Sequence, residues 1–485
     1  MTAALPYSWP ARLGVYCRIR RCLFLDRFKE NADTDPGRVP GTRFQGSCRG
    51  ADWRIGFELY QAYPVSRVLD KLLPARLGVG FRWLLASSWT SNLGDGFALS
   101  AGPLLVASLT RDPTLVALAT LLQHLPWLLF AIPAGVLADR RNGAAIASAA
   151  DLSRTVVLAL LALLIVTGHG TVVLVLTAML LLGTAEVFGN TASTTLAPLL
   201  VKRDDLTLAN ARLQTGFVVV FQLVGPPVGA LLFALGRPLP FIGQAILVGL
   251  GAILVAQVRA LASARPPETA RHVGSDIVEG LRWVRHNPAV RTLVLTILTF
   301  NVTFGAAWSV LVLYARERLG MDAVGFGLLT AAVAVGGIAG SMAYGWITKR
   351  MTLFNLMRAG LIIETFTHLA LALTTQATVA LGVMVAFGAH AFVWGATSVT
   401  VRQRAVPQGL QGRVASINSL AGFGGIIIGS ALGGPIAARW GITAPFWFAF
   451  VGSAVFVVAI WRELAHIAHP ATDASAASPG RGPSA

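Results

Sequence analysis

Apolar runs long enough to cross a bilayer, each closed by a short polar turn, recur twelve times along this chain. Lipid offers no hydrogen bonds to a bare backbone, so runs of about 20 apolar residues predict membrane-spanning helices. The runs fall at 82–107, 114–138, 144–167, 171–200, 209–234 and 238–260. A second set follows at 292–315, 323–347, 354–374, 377–401, 415–437 and 442–462. The expected fold is an all-α membrane protein of twelve transmembrane helices in two six-helix halves. Gly189–Asn210 and Gly395–Val414 echo each other across the halves, each a small-residue helix end followed by a basic turn.

The turns carry arginine on alternate sides. Arg76, Arg82, Arg140, Arg141, Lys202, Arg203, Arg212, Arg282, Arg285, Arg291, Lys349, Arg350, Arg358, Arg402, Arg404, Arg413 and Arg462 share one side. Arg111, Arg237, Arg316, Arg318 and Arg439 lie on the other. Cytoplasmic loops hold the excess of basic residues, so both termini are expected in the cytoplasm. The formal charge of +17 is then a matter of topology and gives no reason to expect a nucleic-acid partner.

Between the two sets lies the longest internal linker, 261–291, with a Pro-containing start (Pro266, Pro267) and an amphipathic segment from Ile277 to Val290. There Ile277, Leu281 and Val284 fall at helical spacing with Arg282 and Arg285 between them, which predicts a surface helix. The domain reading is a basic extension over 1–78, a first half over 79–260, the linker, a second half over 292–463 and a tail over 464–485. The extension is arginine-rich without a long apolar run. It reads as disordered chain or, alternatively, as a basic tail resting on anionic lipid. The Ala/Ser/Pro/Gly-rich tail reads as disordered.

Absences narrow the function. The lysines are Lys29, Lys71, Lys202 and Lys349, none followed by Ser or Thr, so no Walker A phosphate loop is present. There is no HExxH pair, and His466 and His469 sit in the polar end. The three cysteines, Cys17, Cys22 and Cys48, match neither a zinc nor a disulfide spacing. No cofactor, metal or enzymatic role is expected; movement of a solute on an ion gradient is.

Ionisable groups inside spans are costly and point to function. Asp95, Glu186 and Glu364 each fall mid-helix, Asp95 between Gly94 and Gly96. A carboxyl in such a place is protonated or paired, which is what proton coupling requires; a purely structural ion pair is the plain alternative. Asp151 and Arg154, three apart, share a helix face as a self-neutralising pair or a gate. Glu364 and His368, four apart, form a candidate proton relay. Gln123, Gln222, Asn301 and His390 also fall near mid-membrane. With Trp308 they suggest a polar, aromatic-edged cavity for an amphiphilic cargo, although each alone suits an interhelical hydrogen bond.

Gly225-Pro226-Pro227-Val228-Gly229 interrupts the fifth run, where proline bends a helix and glycine admits a close neighbour. Gly337, Ser341 and Gly345, and likewise Gly425, Gly429 and Gly433, form small-residue stripes on which helices of opposite halves could slide.

These motifs resemble those of the major facilitator superfamily over residues 80–463. Gly135-Val136-Leu137-Ala138-Asp139-Arg140-Arg141 resembles its loop signature, though Asn142, Gly143 and Ala144 stand where basic residues usually follow. The Gly225–Gly229 segment is similar to the fifth-helix motif of drug–proton antiporters, with Ala230 where a second glycine is common. Glu279-Gly280-Leu281-Arg282-Trp283-Val284-Arg285, Leu93-Gly94-Asp95 and Ala150-Asp151-Leu152 resemble the enterobactin-exporter-like and macrolide-efflux-like branch.

The resemblance implies a monomeric exporter in a bacterial inner membrane, trading inward protons for an outgoing drug, macrolide-like compound or siderophore. Asp139 and Arg140 would latch the cytoplasmic gate. An importer or uniporter, or a non-transporting sensor or membrane enzyme on the same fold, are the alternatives.

Overall fold

The computed structural model describes residues 75–259, 273–461 and 463, and all regular structure among them is helical. The amino-terminal extension up to residue 74, the linker over 260–272 and the tail beyond 463 lie outside the described residues. With them go all three cysteines, Pro266, Pro267, Arg462, His466 and His469.

Fourteen helices are used below. Before the linker come α1 (Gly78–Leu109), α2 (Pro113–Arg140), α3 (Gly143–Val166), α4 (Val172–Leu200), α5 (Arg203–Leu235) and α6 (Leu239–Val258). After it come α7 (Val273–His286), α8 (Pro288–Trp308), α9 (Leu311–Glu317), α10 (Ala323–Thr348), α11 (Leu353–Leu373), α12 (Ala377–Ala405), α13 (Gln408–Trp440) and α14 (Ala444–Ile460). Ten of these, α2–α6, α8 and α10–α13, are long and apolar enough to cross a membrane. The runs at 82–107 and 442–462 form α1 and α14. The polar stretch from Ser87 to Asp95 lowers the apolarity of α1, and α14 has only 17 residues.

The breaks between helices follow local chemistry. Asp112, Asn142, Asn287, Asp322 and Thr352 each cap the next helix by accepting a backbone N–H, Asp112 from Thr114 at 2.8 Å and Asp322 from Gly325 at 2.7 Å. The cap at Asn287 also corrects the linker reading. The surface helix ends at His286 and Pro288 opens α8, so Val290 belongs to the next helix. In α7 the apolar positions divide: Val284 is buried against Val290, Val406 and Val414, whereas Val278 and Leu281 are exposed.

Helices α1–α6 pack among themselves, and α8–α14 do likewise. The two packing groups meet along α2 with α13 and along α5 with α10. Alternation of the helices collects Arg140, Arg141, Lys349, Arg350, Arg402 and Arg404 at one end of the bundle. At the opposite end a single apolar cluster joins both groups, from Leu105, Val116 and Phe241 to Val310, Tyr314 and Phe446. Toward the arginine-rich end the apolar clusters each stay within one group. Among the described residues, a buried apolar cluster thus joins the groups at one end only.

The small-residue stripes need correction. Gly425, Gly429 and Gly433 do mark a close approach, but to α8 within their own group: a Cβ on Gly425 would lie 2.6 Å from Asn301 Cβ. Gly337, Ser341 and Gly345 take no part in a tight contact. Gly336 and Gly340 pack on α12 instead, against Val385 and Ala389, and Gly388 returns the contact to Val333. One residue is about 100° of helix rotation, enough to change which stripe faces the neighbour.

Candidate functional site

Helices α1, α3, α4 and α6 converge on the guanidinium of Arg154, 5% exposed. Its Nη1 donates to Asp151 Oδ1, one turn back on α3, at 3.1 Å. Its Nη2 donates to Asp95 Oδ1 on α1. The same Asp95 oxygen accepts from Gln244 Nε2 on α6 at 3.1 Å, and Asp151 Oδ2 accepts from the Ser91 hydroxyl at 3.3 Å. Glu186 on α4 lies within electrostatic reach of Arg154. One guanidinium therefore faces three carboxyl groups. Fully ionised, the set would carry a net charge of −2 inside the bilayer, which the surroundings do not compensate. Protonation is the chemical way to reduce it.

The backbone around this cluster is pressed close. A Cβ on Gly94 would touch Gln244 and Leu247 at 3.3 Å, so the glycine lets α6 bring its amide to Asp95. On the other side of Asp95, a Cβ on Gly96 would lie 2.6 Å from the Phe221 carbonyl and 2.8 Å from Gly225 Cα on α5. The motif at Gly225–Gly229 thus sits against α1 one residue from the carboxylate. It also reaches the other group, where a Cβ on Gly327 of α10 would meet Ala230 Cβ at 2.6 Å and the Pro226 carbonyl at 2.8 Å.

The segment before it, Gly216–Val224, is a π-helix rather than a simple bend. Pro226 and Pro227 have no N–H to give, so the carbonyls a turn earlier lose their α-helical donors, and Gly225 N–H bonds the Val220 carbonyl five residues back. The Pro226 carbonyl accepts from Ser100 of α1 at 2.7 Å.

The remaining residues singled out from sequence are dispersed. Glu364 and His368 share a face of α11 but make no hydrogen bond with each other. His368 has His390 of α12 as its electrostatic neighbour instead. Trp308 stacks with Phe304, ring centroids 4.7 Å apart, and both line a cavity of about 10 Å³ with His368, Met384 and Phe387. Asn301 donates to the Ile297 carbonyl of its own helix at 2.7 Å. Gln123 and Gln222 are half-buried and make no hydrogen bond among the described residues. Asp139 and Arg140 are exposed and form no ion pair among the described residues, and Gly135 has nothing within 4 Å of a Cβ position. No group of three or more metal-ligating side chains occurs among the described residues.

Sequence reasoning missed Gln244 and Ser91, the neutral donors to the two aspartates. Gln244 stood out only as an amide within the apolar run of α6. It also missed Trp127 of α2 and Phe423 of α13, which stack across the two groups at 5.1 Å and 11°.

The family profile of transmembrane secretion effectors, in the major facilitator superfamily, matches residues 71–481. The chain belongs to this family. Among its relatives is the multidrug efflux pump Tap of Mycolicibacterium fortuitum, 26% identical over 376 residues, covering 75% of this chain and 90% of that protein. The class C tetracycline resistance protein of Escherichia coli is 25% identical over 250 residues, 50% of this chain and 61% of that protein.

Solved structures with the same fold include the nucleoside transporter NupG (TM-score 0.63, 12% identity, 81% of this chain and 100% of that one). Another is a bacterial homologue of the iron transporter ferroportin in an inward-facing state (TM-score 0.61, 16% identity, 78% and 98%). The protein is a multi-pass membrane transporter of the major facilitator superfamily acting on a small molecule, and its relatives are transporters rather than enzymes.

Proposed function

We propose that this transporter exports a small amphiphilic molecule, drug-like, macrolide-like or siderophore-like, in exchange for protons by alternating access. Twelve spanning helices in two six-helix pseudo-repeats rock about a mid-membrane cavity, and the chain acts as a monomer in a bacterial inner membrane with both termini cytoplasmic. The observation that carries this reading is Arg154 shared by Asp95, Asp151 and Glu186, one residue from the Gly96–Gly225 contact. A change of charge at Asp95 alters how tightly α1 holds α3 and α6. The α5 motif touches both that point and α10, so the change is felt where the two groups meet. The efflux relatives favour the outward direction.

Asp95 is the principal proton carrier in this reading, with Glu364 second and Asp151, Arg154 and Glu186 in support. Gln123, Gln222, Asn301, Trp308, His368 and His390 line or edge the cargo path. Gly225, Pro226, Pro227 and Gly229 form the joint between groups. Gly135, Asp139 and Arg140 form the cytoplasmic latch. That latch is unmade here and the joined end is the opposite one, which fits an inward-open conformation.

The test is accumulation of a panel of drugs, dyes and siderophores, tetracycline among them, in efflux-deficient bacteria expressing wild type or Asp95→Asn, with and without a protonophore. Lowered accumulation with wild type alone, abolished by the protonophore, is expected. Undiminished export by the variant would remove Asp95 from the mechanism.

A further inference from the structure

Helices α11 and α12 face each other with polar stripes that the apolar surroundings leave unpaired. Gly360, Glu364 and His368 recur every four residues on α11; His390 and Trp394 do so on α12. The register is set by Gly360, where a Cβ would lie 2.7 Å from Trp394 Cδ1, and by the proximity of His368 to His390. Glu364 falls between these two crossings. His368 is 3% and His390 7% exposed. All four of their ring nitrogens and the Trp394 Nε1 are buried with no protein partner, and Glu364 bonds to nothing among the described residues.

Five buried ring nitrogens without a protein partner, beside a half-buried carboxyl, are a large departure from the rule that buried donors and acceptors are satisfied. A cavity of about 10 Å³ opens beside His368, lined otherwise by Thr367 and apolar side chains such as Phe304, Met384 and Phe446.

No cation on the neighbouring helices reaches this stripe. Arg358 of α11 donates to the Trp461 carbonyl at 2.6 Å and lies over the Phe354 and Trp461 rings. Arg402 and Arg404 of α12, Arg291 of α8 and Tyr344 of α10 are at the arginine-rich end. At the opposite end Tyr314 of α9 donates to the Leu371 carbonyl and Arg318 to those of Leu373 and Thr374; Arg316 and Glu317 share that end. The described part of α14 has no titratable side chain. This differs from the first group, where Arg154 supplies a counter-charge.

We propose that these stripes enclose a second, hydrated proton site, in which Glu364 holds the exchangeable proton and bound water links it to His368, His390 and Trp394 Nε1. Uptake makes the carboxylate a carboxylic acid and release restores it; no bond but O–H forms or breaks. The neutral imidazoles each offer one donor and one acceptor, so a water between them can satisfy both rings. The site's part in coupling rests on the proton-exchange reading above, but its existence does not.

Two measurements on the purified full chain test it without transport. X-ray hydroxyl-radical footprinting labels side chains beside internal water: Trp394, whose Nε1 is buried, is expected to oxidise readily, while the fully buried Tyr314, packed on Phe446, is not. A hydrophobic carbodiimide, which reacts with protonated carboxyls in apolar surroundings, is expected to label Glu364 in a pH-dependent way. Glu364→Gln should lose that label while Trp394 still oxidises; His390→Leu should lower the Trp394 signal toward that of Tyr314. Trp394 as inert as Tyr314, or Glu364 unlabelled at every pH, would overturn the proposal. Asp95→Asn leaves both readouts intact, so failure of the export reading and failure of this site are separable.

Discussion

Arg154→Gln removes the one positive charge at the convergence of α1, α3, α4 and α6. Breaking a buried pair by deleting one partner costs about 3–5 kcal/mol, because the other charge stays buried. Here part of that is offset. Asp95 keeps the Gln244 amide and Asp151 keeps the Ser91 hydroxyl, each worth about 1 kcal/mol. The expected net loss is about 1–3 kcal/mol, read as a lowered melting temperature of the purified protein in detergent. Asp95→Asn in the same background removes one uncompensated carboxyl and should restore part of the loss. The double variant then falls short of the sum of the singles by about 1–3 kcal/mol. An Arg154→Gln protein melting with wild type, or a double variant losing the full sum, would refute the shared-guanidinium account.

Gly96→Val should destabilise by about 1–3 kcal/mol through overpacking against Phe221 and Gly225 and block transport, while Gly135→Ala, with open space at its Cβ, should melt with wild type. Phe423→Ala removes a stack worth about 0.5–1.5 kcal/mol between the groups, so a cysteine placed at Ala117, buried on α2 against Gly434 of α13, should react faster with a membrane-impermeant thiol reagent. Glu279→Gln breaks a partly exposed 2.8 Å pair with Arg413 and should change stability by less than about 1 kcal/mol, measured by thermal unfolding.

Much of this arrangement was readable from local pattern. The expected runs at 114, 144 and 354 start within two residues of Asp112, Asn142 and Thr352, which cap those helices with neighbouring backbone alone. The Asp151–Arg154 pair followed from their spacing on one helix face. What was not readable depends on which face meets which neighbour. Gly336 and Gly340, one residue out of phase with the expected stripe, make the close contact with α12. Glu364 and His368 do share a face of α11, yet the titratable group that acts on His368 is His390 of α12, a partner no within-helix pattern reveals. The missing N–H groups of Pro226 and Pro227 were legible as a bend; that they shift the ladder to a π-helix over nine residues, Gly216–Val224, was not.

The central claim, exchange of cargo for protons at Asp95, is tested most directly in proteoliposomes loaded with a cargo found by the accumulation panel. Wild type should drive cargo against its gradient when a pH difference is imposed and should also exchange labelled for unlabelled cargo without one. Asp95→Asn should lose the first activity and keep the second. Gradient-driven transport undiminished in Asp95→Asn, or wild-type transport indifferent to the pH difference, would contradict the account.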